Sequence, residues 1–204
     1  GDPEMSEPYL IVFSGPAGSG KTTQAKAFSA ALSLPYFDYD TLVQPFLLGI
    51  ERRYGLIEGS RSAFYKEWRS ESYSTLLEVT KENLKNGISL VISAPFTREM
   101  EEKDFFSRLK EESGASFRSI AFSLFPSSAL RLKMLRQRGS YRDEEIINGA
   151  LEYAGYSVTK AIWDADFVYN IYFEDYTDLP DRIMERVREK CPELMKRKGG
   201  QAPS

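Results

Sequence analysis

The stretch Gly15-Pro16-Ala17-Gly18-Ser19-Gly20-Lys21-Thr22 constrains this chain more than any other. It satisfies the spacing G-x-x-x-x-G-K-[ST], a turn that joins a strand to the amino end of a helix and encloses phosphate. Main-chain N–H groups can surround a polyphosphate only where side chains stay out of the way. Gly15, Gly18 and Gly20 permit that approach and the unusual backbone angles it needs. The following helix adds the partial positive charge of its amino end. In such a loop Lys21 reaches the β- and γ-phosphates of ATP, and Thr22 sets its hydroxyl on Mg²⁺. Ala17, Ser19 and Thr23 complete the nucleotide-binding positions. The flanks supply the required context. Tyr9 to Ser14 (YLIVFS) is a β-branched and aromatic run that reads as a buried strand. From Lys21 the pattern is helical, with Ala25, Phe28 and Leu32 at spacings of three and four, and Pro35 closes the segment.

Strands and helices continue to alternate. Pro35 to Asp40 (PYFDYD) reads as a second short strand ending in acid, followed by a mixed segment from Thr41 to Gly59. Tyr73, Leu76, Leu77, Thr80 and Leu84 share one face of a long helix that stops at Asn86-Gly87. Ile88 to Ser93 is a third strand, cut by Pro95, and Arg98 to Ser113 a helix capped by Gly114. Phe117 to Phe125 is a fourth strand, stopped by Pro126. Ser127 to Arg138 is helical up to Gly139. Asp143 offers an N-cap for a further helix carrying Ile147, Ala150, Leu151, Ala154 and Val158. Asp166 to Phe173 is the fifth strand, and Asp178 to Lys190 a final helix with Pro180 in its first turn. This order predicts an α/β sandwich: a parallel sheet with helices on both faces. One domain spans residues 5–193, and 194–204 read as a loose tail.

Composition removes several classes of chemistry. Histidine is absent, which excludes histidine triads, histidine general bases and the usual zinc sites. Proton transfer then falls to Asp, Glu, Lys or water. A net charge of −3 does not favour bulk nucleic-acid or anionic-membrane binding. No apolar run approaches the roughly 18 residues a membrane span needs, and no signal peptide is visible. The single cysteine, Cys191, allows no intramolecular disulfide and fits a reducing, cytoplasmic setting. Gly1 to Glu4 precede Met5 and read as an expression remnant.

Three features narrow the chemistry. Asp38 and Asp40 are two apart, so on a strand they face the same way, at the carboxyl end where open α/β sheets bind ligands. One carboxylate can organise Mg²⁺ and its waters, and the other can accept a proton from an attacking hydroxyl. Leu90 to Pro95 (LVISAP) carries no acid at its end, so the chain lacks the usual metal-holding aspartate there. Finally, Arg131, Arg136, Arg138 and Arg142 cluster around Gly139. A hinged, arginine-rich segment can close over ATP, neutralise the moving phosphoryl group and exclude water. A basic solvated helix face is the other reading of the same residues.

With these motifs together (GPAGSGKTT, LPYFDYDTL, VISAPF and RQRGSYRD) the chain resembles the bacterial AAA-type P-loop kinases, which are similar to the shikimate-kinase and gluconate-kinase group. The resemblance covers most of residues 9–172 and implies a five-stranded parallel sheet in the order 2-3-1-4-5, a lid over about residues 136–146, and transfer of phosphoryl from ATP to a small molecule. It implies that Asp40 lies beside the acceptor and that Arg136, Arg138 and Arg142 are the lid arginines; with no acid at the end of the third strand, Asp38 is the candidate for the metal. Asn170, in the fifth strand, would lie near the adenine. Two positions depart from the pattern. Tyr39 stands between the aspartates where several relatives carry lysine, and Glu144 and Glu145 follow Asp143 where a basic residue is expected.

The acceptor-binding segment is placed at about residues 41–75. There Arg52, Arg53, Arg61 and Arg69 alternate with Phe46, Tyr54, Phe64, Tyr65 and Trp68, a set able to pair with an anion or stack on a ring. Phe64 and Trp68, four apart, also fit a helix core face. Arg98 is a further candidate acceptor contact. The leading expectation is an ATP- and Mg²⁺-dependent kinase of a small hydroxylated metabolite. A slow ATPase that signals to a partner, and a toxin-like kinase of a nucleotide-sugar, stay open beside it.

Overall fold

Strand β1 (Tyr9–Ser14) is buried along its whole length. Its alternate side chains enter opposite layers, Leu10 and Val12 on one side and Ile11 and Phe13 on the other. A run that is apolar on both faces suits a parallel sheet covered by helices twice over. The computed structural model has that architecture and describes residues 7–56, 60–139 and 160–199, the last four by backbone alone.

Strands β1, β2 (Tyr36–Asp38), β3 (Leu90–Ser93), β4 (Arg118–Pro126) and β5 (Phe167–Phe173) form one sheet in the order β2-β3-β1-β4-β5. Every pairing is parallel. The helices in chain order are α1 (Lys21–Leu32), α2 (Tyr39–Tyr54), α3 (Arg61–Glu67), α4 (Arg69–Lys85), α5 (Phe105–Ser113), α6 (Ser128–Arg138), α7 (Leu179–Lys190) and α8 (Pro192–Gly199). Phe28 of α1, Ile183 of α7 and Leu194 of α8 pack with Ile11, Phe13 and Phe122 in one layer. Val43 of α2, Phe64 of α3, Leu76 of α4 and Leu109 of α5 pack with Leu10, Val12 and Ile92 in the other.

Four segments differ from the sequence expectation, each for a local reason. The mixed segment is mostly the helix α2, despite Pro45 and Gly49, which disfavour helix. Tyr39, Val43 and Leu47, four apart, are buried, and Asp38 accepts from the Thr41 amide as the N-cap. Packing and cap outweigh propensity. The helix expected from Arg98 is a short 3-10 turn at Glu99–Glu101, and α5 starts only at Phe105. Strand β3 starts at Leu90, with Ile88 at the surface. The expected tail begins inside α8, where Leu194 is buried beside Cys191. The helix expected after Asp143 lies outside the described residues. Among the described residues no helix is long and apolar enough to cross a membrane.

Asp164 supplies a cap from a distant part of the chain. Its carboxylate accepts from the Phe106 amide at 2.7 Å, the Ser107 amide at 3.0 Å and the Ser107 hydroxyl. Burial pushes the Asp164 carboxyl up, but these hydrogen bonds outweigh it and hold the group below its ordinary value. A depressed folded-state pKa stabilises the fold above the unfolded pKa, and that contribution fades as pH falls through the folded value. Asp164→Ala therefore lowers stability by about 1 kcal/mol near neutral pH. Urea denaturation across pH shows the gap from wild type closing below the ordinary carboxylate pKa of about 4.

Candidate functional site

The loop between β1 and α1 is built from positions that only glycine fits. Gly15, Gly18 and Gly20 have φ of 146°, 77° and 83°. A Cβ on Gly15 would stand 2.7 Å from the Leu124 carbonyl oxygen, and one on Gly18 2.8 Å from Leu135 Cγ. One on Gly20 would stand 2.6 Å from Tyr176 Cε1. The ends of β4 and β5 and the helix α6 thus close on the loop from outside. Three hydrogen bonds fix its path: Gly15 N–H donates to Pro95 O at 3.2 Å, Ser19 N–H to Pro16 O at 3.1 Å, and Arg131 Nε to Ala17 O at 2.8 Å.

Helix α1 starts at Lys21 with Gly20 as its N-cap, no side-chain cap and no acid in its first turn. By contrast, Asp38, Ser60 and Ser127 cap α2, α3 and α6 with side-chain oxygens. No side chain caps the leading amides of α1, the arrangement of an anion-binding helix end. Lys21 is buried beside them, Thr22 is half-buried and Thr23 exposed. The Ser19 hydroxyl is buried with no hydrogen-bond partner among the described residues. Uncapped amides, a lysine, a hydroxyl and an orphaned polar atom in one turn fit a nucleotide's phosphates.

Asp38 and Asp40 do not share a strand. Strand β2 ends at Asp38, and Asp40 lies in the first turn of α2, half-buried. Strand pairing puts Asp38 beside Ser93. Its Oδ1 accepts from Ser93 Oγ at 2.7 Å and lies 3.5 Å from the Tyr36 hydroxyl. Its Oδ2 accepts from the Thr41 amide at 3.0 Å and the Thr41 hydroxyl at 3.3 Å. The Tyr36 and Ser93 hydroxyls are 2.6 Å apart. Burial pushes the Tyr36 phenol well up, and the nearby Asp38 charge adds to it, so the group stays a neutral hydroxyl. No group of three or more acidic, histidine or cysteine side chains converges among the described residues. A threonine hydroxyl and a carboxylate are the sparse kind of protein ligand set that suits Mg²⁺.

Other expected residues stand elsewhere. The amide of Asn170 brackets Ala161, accepting from its N–H at 2.7 Å and donating to its carbonyl at 3.1 Å. It ties that residue to the sheet, so an adenine would find its hydrogen-bonding edge engaged. Arg136 and Arg138 are exposed in the last turn of α6, and Arg142 lies outside the described residues, as does most of the expected lid. Arg131 braces the loop at Ala17. Arg98 is exposed before the 3-10 turn. Arg61 pairs with Glu51 at 3.1 Å, and Arg69 makes a two-pronged pair with Glu99 at 2.9 and 2.7 Å. Arg53 donates to Gly49 O at 3.2 Å. Phe64 is core, while Phe46 and Tyr54 are exposed.

Two features of the site had no expectation attached. Phe96, which follows the Pro95 carbonyl that anchors Gly15, has a φ of 50°. The Tyr73 hydroxyl accepts from its amide at 2.8 Å, and its ring packs on Tyr73, Phe105 and Trp163. A non-glycine residue in this region costs on the order of 1 kcal/mol or more, and here the surroundings enforce it. The second feature is a cavity of about 690 Å³ at the carboxyl ends of β4 and β5, lined by Phe125, Ser127, Tyr172, Asp175, Asp178 and Arg182. The loop that forms one wall also carries Tyr176, the residue packed on Gly20.

The family profile of AAA domains designated AAA_33 matches residues 10–155. No curated protein sequence matches the chain. A crystal structure from Chloroflexus aurantiacus, described as a "putative kinase", superposes with a TM-score of 0.61 at 17% identity, over 90% of this chain and 97% of that one. An unliganded sugar kinase from Janibacter superposes with a TM-score of 0.51 at 16% identity, over 92% of this chain and 97% of that one. At these identities the likeness shows the fold.

The crowding around the loop has a measurable consequence. Gly114 also has a positive φ, 64°, but nothing stands within 4 Å of its would-be Cβ. Gly114→Ala therefore costs only the backbone term, about 1–2 kcal/mol. Gly15→Ala adds a clash with a backbone carbonyl and costs clearly more. Urea denaturation of the two variants checks the order.

Proposed function

The chain belongs to the AAA_33 family of AAA domains, and from that premise we propose that it transfers phosphoryl from ATP to a hydroxyl of a small metabolite. The observation that carries this reading is the uncapped amino end of α1, with Lys21 buried in its first turn. The two structural relatives carry kinase names that accord with it. The single cysteine suits a cytoplasmic setting.

In this reading the amides of Gly18, Gly20, Lys21 and Thr22 bind the β- and γ-phosphates, with the Lys21 ammonium on their oxygens. Thr22 would ligate Mg²⁺ directly, and Asp38 would hold its water shell. A magnesium ion held there would supply positive charge against the charge that develops during transfer. Asp40 orients the acceptor hydroxyl and takes its proton as the new O–P bond forms and the bond to the ADP oxygen breaks. Arg136, Arg138 and Arg142 supply further positive charge toward the moving group. Arg98 is assigned to the acceptor. The nucleoside end extends into the cavity beside Tyr172 and Asp175, which takes the role expected of Asn170.

Screening hydroxylated metabolites with labelled ATP tests the proposal. One acceptor class raises ATP turnover well above the basal rate. Lys21→Ala and Asp40→Ala each lower kcat/KM for it by about 100-fold or more. Unchanged transfer by Lys21→Ala contradicts the mechanism. Tight ATP binding with no stimulating acceptor favours a nucleotide-controlled regulatory module instead.

A further inference from the structure

Pro95 and Phe96 share one peptide unit, and both of its ends are held by other parts of the chain. Its carbonyl accepts from the Gly15 amide at 3.2 Å. Its N–H donates to the Tyr73 hydroxyl at 2.8 Å. The bond is trans, so the two groups point opposite ways from one rigid plane. Turning that plane to free either group swings the other off its partner. The next peptide is held too, since the Phe96 carbonyl accepts from the Met100 amide at 2.9 Å. Between these two fixed planes Phe96 stays at a φ of 50°, a conformation that the surroundings have to enforce. Tyr73 is itself fixed. Its ring packs on Tyr39 at 4.6 Å, and the Arg69 guanidinium lies over it at 4.3 Å. Two hydrogen bonds to Glu99, at 2.9 and 2.7 Å, hold the guanidinium.

We propose that Tyr73, on α4, is a positioning residue for nucleotide binding: its hydroxyl sets the Pro95–Phe96 peptide, and that peptide sets the entry of the phosphate loop at Gly15. The inference rests on the nucleotide-binding reading above. Phe96 and Tyr73 are both buried, so water does not stand in for the hydroxyl. Without it the Phe96 amide is left unpaired, and the peptide turns to relieve both that loss and the strain at Phe96. The turn draws the Pro95 carbonyl away from Gly15. The loop then starts with one anchor fewer, and its amides converge less well on a phosphate. The ring of Tyr73 has a second duty. Tyr39, which it touches, lies between Asp38 and Asp40. One side chain thus registers the turn that carries both carboxylates against the loop that receives the phosphates. The same contact accounts for a tyrosine between the aspartates, since Tyr39 is buried against Tyr73 and belongs to the core.

Calorimetric titration of magnesium-ADP into the full chain tests this. Tyr73→Phe removes the hydroxyl and keeps the ring. It weakens ADP binding by about tenfold. In the same variant the Gly15 amide proton resonance moves upfield, as its hydrogen bond to Pro95 lengthens. Asp166→Ala is the comparison, because it removes hydrogen bonds to the Ser119 amide and hydroxyl at the amino ends of β4 and β5. Its ADP affinity stays within about twofold of wild type. Wild-type affinity in a folded Tyr73→Phe, an unmoved Gly15 resonance, or an equal loss in Asp166→Ala overturns the proposal and leaves the nucleotide reading intact. Where melting curves show Tyr73→Phe unfolded, Arg69→Lys decides. It breaks the two-pronged pair and loosens the ring while every core side chain stays in place, and it weakens ADP binding by about threefold. Unchanged affinity there overturns the proposal. A wild type that does not bind ADP overturns both readings.

Discussion

A turn that keeps its backbone amides available to a ligand gives up the hydrogen bonds that would hold it, so something else must. Here the support comes from outside the turn. The Pro95 carbonyl takes the Gly15 amide, Arg131 holds the Ala17 carbonyl, Leu135 crowds Gly18 and Tyr176 crowds Gly20. These residues come from the carboxyl ends of β3, β4 and β5 and from α6. Only the strand order β2-β3-β1-β4-β5, with β1 in the centre, gathers them at one edge. The fold is in this sense a mounting for one loop.

The same edge assembles the chemistry. Asp38 ends β2 and meets Ser93 at the end of β3, because those strands pair in register. The segment beyond β3 is held just as firmly. Phe96 is kept at positive φ by Tyr73, whose ring lies under the Arg69 guanidinium at 4.3 Å, and Arg69 is clamped by Glu99. Burial raises the Tyr73 phenol, so its hydroxyl remains a neutral partner for the Phe96 amide. The path from α4 through Tyr73 and Phe96 to Pro95 and Gly15 consists of buried aromatic contacts and main-chain hydrogen bonds. Preorganisation of this kind lets a loop bind a compact charge without first being ordered.

Much of this was legible in the residues, and the failures have physical causes. The glycine spacing and its flanking strand and helix named the phosphate loop, because each glycine answers a local steric demand. The five strands were readable as apolar runs, and their order came from family resemblance. Helix α2 was hidden by Pro45 and Gly49, whose propensities are outweighed by burial of Tyr39, Val43 and Leu47. The spacing from Asp38 to Thr41 was a capping signal, and reading it would have ended the strand at Asp38. Charge patterns misled where partners are distant. Arg69 looked available until Glu99, 30 residues on, was placed against it. Asn170 looked like a ligand contact until Ala161 took both ends of its amide. Tyr36 and Ser93 gave no signal, since a hydroxyl in a buried strand acquires a role only through its neighbour in the sheet.

The central claim is that the amides at the start of α1, which no side chain caps, hold nucleotide phosphate. Amide chemical shifts of the labelled protein, followed during addition of magnesium-ADP, address it most directly. The account predicts large, saturating shifts at Gly18, Gly20, Lys21 and Thr22. Those four amides staying still at saturating nucleotide would contradict it.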